Sequence, residues 1–291
     1  MNFTPTILYL ATILPPIILG LVIWRSDKFQ EPGHLLAASF LLGASIGLPL
    51  HLFINIVEDI LAPFFGIDVS LEDAWGKLSI EEKIKTAYPW LESAYQNFLR
   101  AAFLEEGIKF ALLIFFCVRL ADLNEPMDCL VYGAAIGLGY AAYENLGYLS
   151  ACSAGAFGSD CLEWDMIKKR LYPMVMHLGF GTIMGLFLSL TLFNERSVFK
   201  KRLWIVLSLL VPVVYHGIYN YEQTFATFPL LTLLIVVGIF SYYRRGQHQR
   251  ITEPIDKNKI ENIEIFYSYV LTLTLVVIII VSSTFIQSTI K

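Results

Sequence analysis

The sequence predicts an all-α protein, a polytopic membrane helical bundle with about eight transmembrane helices. Of its 291 residues, 56% are hydrophobic and 16% charged, where an ordinary soluble domain has about 45–50% and about a quarter. The mean hydropathy is +0.61. The apolar residues fall in blocks of about 20, and a helix of that length, rising ~1.5 Å per residue, crosses a hydrocarbon core of ~30 Å. The ~10-residue alternation of a membrane barrel is missing, and open strands leave backbone groups unpaired in lipid, so helices remain. The same numbers exclude a soluble globular enzyme and a disordered chain. They also exclude nucleic acid as a partner, since 21 Lys+Arg against 25 Asp+Glu leave no basic surplus.

Taken in order, the expected spans are roughly residues 4–24, 35–58, 98–120, 128–149, 170–193, 203–221, 228–243 and 266–286. The first has no basic residue ahead of it and Arg25 and Lys28 behind it. A cleaved signal peptide needs a basic start, so the span reads as a retained helix. Lys and Arg are the more numerous in the loops that follow odd-numbered spans, with Lys200, Lys201, Arg202, Arg244 and Arg245 flanking the later ones. The positive-inside rule therefore places the N-terminus outside a cell membrane. The organisation expected is N-terminal transmembrane helices over 1–58, an outer loop over 59–97, a four-helix catalytic core over 98–221 and C-terminal transmembrane helices over 222–291. In the outer loop, Ser79 and Glu82 make a capping-box pattern, and Trp75, Tyr88, Trp90 and Tyr95 suit an interfacial helix lying against the lipid bilayer. Cys152 and Cys161 share a second outer loop, where a disulfide between them is plausible. Cys117 and Cys129 fall at the inner ends of their spans.

Charge inside a membrane is costly, about 2.5–3.5 kcal/mol for Asp, Lys or Arg at a helix centre, so such residues are functional candidates by default. Spans three to six carry Glu105, Glu106 and Lys109, then Glu144 and Asn145, then His177, then His216 and Asn220. Counted from the outer ends of four alternating helices, Glu105 and His177 lie ~10 Å deep and Glu144 and His216 ~7–8 Å deep, which makes a single layer. Lys109, at i+4 from Glu105, is placed to neutralise it. Gly133 and Gly137, and Gly181 and Gly185, form small-residue stripes that let backbones approach closely. His51 and Asn55 in span two form a weaker pair at similar depth.

Two carboxylates and two imidazoles, without an activated Ser or Cys, suit water activation: Glu105 or Glu106 takes the proton and a histidine or a metal stabilises the oxyanion. Zinc is the metal such donors suit, held by His177 and His216 with Glu144 as third ligand and one position open for water. Asn145 and Asn220 are supporting groups, because an amide takes no proton at neutral pH.

The series Glu105-Glu106-x-x-Lys109, Tyr140-x-x-x-Glu144-Asn145, His177 and His216-x-x-x-Asn220 resembles the PrsW family of intramembrane proteases, grouped with the CAAX-processing and bacteriocin-protection (CPBP) proteases. The resemblance covers about residues 98–221. It implies cleavage of membrane-anchored protein substrates at their outer side, with Glu105 and Glu106 as the glutamate pair and His177 and His216 as the histidines. The CAAX branch has EExxxR and FxxxH. Here Lys109 falls one position earlier, and Tyr140-x-x-x-Glu144-Asn145 stands in place of the second motif, which favours the PrsW branch. Two other readings compete. A rhomboid-like serine protease would pair Ser45 with His177 but leaves the glutamates and His216 idle. A proton-coupled transporter or channel would spread polar residues through the full membrane depth or show two similar halves.

Overall fold

The computed structural model describes residues 5–47, 49–50, 93–153, 164–194, 197–221, 227–247 and 262–289, together with Ile54, Ile56, Ile60 and Ile260. Helices α1 (Pro5–Ser26) and α2 (Gly33–Ala44) come first. A π-helix, Tyr95–Phe103, runs directly into α3 (Leu104–Phe115), which a 3₁₀ turn, Cys117–Arg119, closes. Then follow α4 (Pro126–Ser153), α5 (Trp164–Ser189) with a π turn Leu190–Asn194, α6 (Val198–Tyr221), α7 (Thr227–Gly246) and α8 (Asn262–Thr289). No strand occurs among the described residues. His51, Asn55, the capping-box pattern, Trp75, Tyr88 and Trp90 lie outside them.

By length and composition, Tyr9–Ser26, Lys169–Asn194, Val198–Tyr221 and Thr227–Gly246 can each cross a membrane. The protein is thus a multi-pass membrane protein. Helix α4 is not among those four, and its position explains why. Every residue from Met127 to Ala142 is buried, because α5, α2, α1 and α3 pack around it. A helix surrounded by protein has no lipid to face, so Gly, Ala and Tyr replace the large aliphatic residues. A Cβ at Gly133 would meet the Gly181 carbonyl, one at Gly137 the His177 carbonyl and one at Gly185 the Cys129 carbonyl. The two expected stripes are therefore the α4–α5 seam, packed backbone on backbone. On the other side of α4, Gly43 meets Ile136 and Gly139 meets Phe40 in the same way, which seats α2.

Tyr95, expected at the lipid interface, is 1% exposed and belongs to the protein core with Phe98, Leu99 and Ala102. The π-helix packs against α6 and α8, which cover that face. Cys152 is disulfide-bonded. Cys117 and Cys129 are free and buried, and Cys161 lies outside the described residues.

Candidate active site

The π-helix also builds the site. Its i→i+5 bonding widens the turn, so Gln96, Arg100, Ala101 and Glu105 all reach one cavity of about 790 Å³. Glu144, Arg170, His177, His216 and Asn220 line the same cavity from α4, α5 and α6. Four helices that alternate in direction thus bring their polar residues together.

Glu106 is fully buried and does not line the cavity. Lys109 Nζ donates to Glu106 Oε1 at 2.7 Å and to His177 Nδ1 at 3.0 Å, and it lies 4.2 Å above the Tyr140 ring. The lysine therefore neutralises Glu106 at i+3, not Glu105 at i+4 as the spacing suggested. Both spacings are neighbours on a helix, and the imidazole of His177 on α5 draws the ammonium to the Glu106 side. An ammonium only donates, so His177 Nδ1 accepts and its Nε2–H faces Glu144 Oε2 at 3.2 Å. His216 Nδ1 lies 2.9 Å from Glu106 Oε1. A carboxylate only accepts, which makes Nδ1 the donor and leaves the Nε2 lone pair available. That Nε2 is 4.0 Å from Glu105 Oε2. Phe180 stacks on the His216 ring at 4.7 Å, and the two imidazoles meet edge to face at 5.3 Å.

Arg170, which opens the fifth expected span, is a site residue that the candidates drawn from the sequence do not include. Its Nη2 donates to Glu144 Oε2 at 2.8 Å and its Nε to Asn145 Oδ1 at 2.9 Å. Tyr148 lies beneath the guanidinium at 4.0 Å. Asn145 Nδ2 in turn donates to the Thr12 carbonyl of α1 at 3.0 Å. Asn145 is therefore buried behind the site, while Asn220 borders the cavity. Ser45 is exposed and donates to the Leu42 carbonyl at 2.8 Å, so no Ser45–His177 pair forms.

Glu105, Glu106, His177 and His216 each offer an oxygen or nitrogen within 4.8 Å of the others. Glu105 Oε2 and Glu106 Oε2 are buried and accept no hydrogen bond. Two imidazoles and two carboxylates with spare oxygens have the donor chemistry of a zinc site, and Lys109 already supplies one positive charge there. Glu144, the expected third ligand, stands against the Nε2 edge of His177 and pairs with Arg170.

A carboxylate that faces a cavity with an oxygen to spare, among imidazoles and inside a helical bundle, is the equipment of a membrane-embedded hydrolase. The family model described as PrsW family intramembrane metalloprotease matches residues 31–243, and the chain belongs to that family. It is similar to Protease PrsW of Oceanobacillus iheyensis, 27% identical over 82% of this chain and 95% of the relative. It is also similar to Protease PrsW of Bacillus subtilis, 29% identical over 74% and 81%, and of Clostridioides difficile, 25% identical over 79% and 86%. No solved structure matches it. The chain is thus an intramembrane protease.

Proposed function

We propose that the protein hydrolyses peptide bonds of membrane-anchored protein substrates near the outer face of the cell membrane, with Glu105 as general base and its N-terminus outside. Within that scheme residues 98–221 are the catalytic core, and the CPBP proteases are its wider relatives. The observation that carries the reading is the division of labour in the glutamate pair. Glu105 lines the cavity with a spare oxygen, whereas Glu106 is closed off and bound to Lys109 and His216. Glu105 Oε2 and His216 Nε2, 4.0 Å apart, are two acceptors at a spacing that one water can bridge. Such a water donates to both and turns its lone pair to the scissile carbonyl. Glu105 takes the proton and returns it to the leaving nitrogen as the C–N bond breaks, and Asn220 is placed to donate to the carbonyl oxygen as charge develops there. Lys109, Glu144 and Arg170 hold His177 in orientation, and Glu106 does the same for His216.

In proteoliposomes with a tagged single-span substrate, Glu105→Gln should cut turnover by at least ~10²-fold, the scale of a lost general base. Wild-type turnover by folded Glu105→Gln would end the assignment.

Zinc would be held by His177, His216 and a carboxylate in place of the Lys109–His177 and His216–Glu106 hydrogen bonds, and its chemistry would be to acidify a bound water and polarise the carbonyl. The sequence reading gives the third place to Glu144. The spare oxygen of Glu106 among both imidazoles favours Glu106 for it. Metal analysis of purified protein tests this: Glu106→Gln and His216→Ala should lose zinc, and Glu144→Gln should keep it. Retention by Glu106→Gln with loss by Glu144→Gln would restore the original assignment.

A further inference from the structure

At the end of the bundle opposite the cavity, four acidic side chains are buried. Asp27 follows α1, Glu31 precedes α2, Glu125 immediately precedes α4 and Asp128 lies in its first turn; they are 3%, 1%, 2% and 0% exposed. Asp27, Glu125 and Asp128 each bring an oxygen within 4.8 Å of the others. Glu31 lies near enough to repel Asp128, and the Tyr132 hydroxyl donates to its Oε2 at 2.6 Å.

Part of the cluster has an ordinary structural role. Asp128 Oδ2 accepts from the N–H groups of Asn124 and Glu125 at 2.7 and 2.8 Å, closing the start of α4 as a capping box does. Asp27 Oδ1 accepts from Gln247 Nε2 at 2.7 Å and from the Phe29 N–H at 3.0 Å. Those bonds use one oxygen of each. The other oxygens, Asp27 Oδ2 and Asp128 Oδ1, are buried and accept no hydrogen bond. A capped helix end needs no such spare acceptor, and a buried carboxylate oxygen without a partner is strongly unfavourable.

We propose that Asp27, Glu125 and Asp128 bind one hard divalent cation, Ca²⁺ or Mg²⁺. All three donors are oxygens, with no imidazole or thiolate among them, and that set selects hard cations over zinc. The ion ties the α1–α2 loop to the start of α4. Gln247, through Asp27, adds the end of α7. Helix α4 carries Glu144 sixteen residues further on, ~24 Å away at ~1.5 Å per residue, so the ion secures the far end of a helix that bears the site.

The test is equilibrium dialysis of the full chain in detergent, stripped with chelator, against Ca²⁺ or Mg²⁺. Wild type should bind one ion per chain, and so should the His177→Ala/His216→Ala variant, which lacks the imidazoles of the catalytic cluster. Asp27→Asn and Asp128→Asn should each weaken binding by at least about tenfold, because charge count sets affinity in such sites. Asn keeps an acceptor for the loop and cap bonds. If either variant fails to fold by gel filtration, Glu125→Gln replaces it. The cation should raise the thermal midpoint of wild type and leave that of the Asp variants unmoved. No uptake by wild type, or wild-type affinity in the folded variants, would overturn the proposal.

Discussion

Glu105 and Glu106 are adjacent and chemically identical, and their surroundings give them different work. A helix turns about 100° per residue, so one carboxylate faces the cavity and the other faces α5 and α6. The sequence shows the pair and its depth, but it does not show the assignment, which depends on where Lys109, His177 and His216 arrive from other helices. Arg170 was hidden for another reason. Beside Lys168 and Lys169 it reads as a positive loop. Yet it stands seven residues before His177, two turns along the same helix face, and that spacing was a usable signal. Its guanidinium holds Glu144 and Asn145 together by a fork of two bonds. Arg170→Gln should lower kcat by about 10–100-fold, the scale found when a partner behind an active ligand is removed. Arg170→Lys should not restore it, since an ammonium lacks the planar fork. Kinetics in proteoliposomes, with gel filtration as the folding check, measure both. Rescue by lysine would mean that charge alone matters.

At the scale of elements, each of the eight expected spans has a helix, because blocks of apolar residues dictate helices in lipid whatever the tertiary context. The π-helix was not legible, as its i→i+5 bonding leaves no mark on composition. Helix α5 begins at Trp164, ahead of the expected start at 170, because helical geometry continues past the charged residues that end the apolar block. The glycine stripes were legible, and the structure adds which carbonyl each one meets. A Cβ at Gly137 would collide with the backbone carbonyl of His177 itself, and a backbone does not move aside as a side-chain tip does. Gly137→Ala should therefore force α4 and α5 apart, displace His177 and cost about 1–3 kcal/mol, the range for overpacking. A fall in thermal midpoint with a loss of turnover is expected. Gly147→Ala, on the same helix with nothing within 4 Å, should leave turnover unchanged and should not lower the midpoint, since Ala is the better helix former. Wild-type stability and turnover in Gly137→Ala would mean that the α4–α5 seam yields to an added methyl group.

For the whole molecule, what matters is where a substrate meets the site. The cavity is bounded by Tyr148, Lys169, Arg170, Tyr219 and Asn220, all toward those ends of α4, α5 and α6 that the proposed topology puts on the outer side. From Lys169 to His177 is eight residues, ~12 Å along α5, so the His177 imidazole lies about two turns from the exposed Lys169. A layer at that depth admits water far more readily than the bilayer centre, ~15 Å from either face. A substrate helix must also unwind to present a peptide bond, and its frayed ends open more easily than its middle. The cut is therefore expected near the outer end of the substrate's span or in the stretch just outside it. Mass spectrometry of both product fragments, from a substrate of known orientation in proteoliposomes, locates the bond. A scissile bond at the centre of the span would overturn the depth argument. One on the inner side would reverse the topology instead, leaving the chemistry of Glu105 and His216 intact and moving the acidic cluster of Asp27, Glu125 and Asp128 to the outer face.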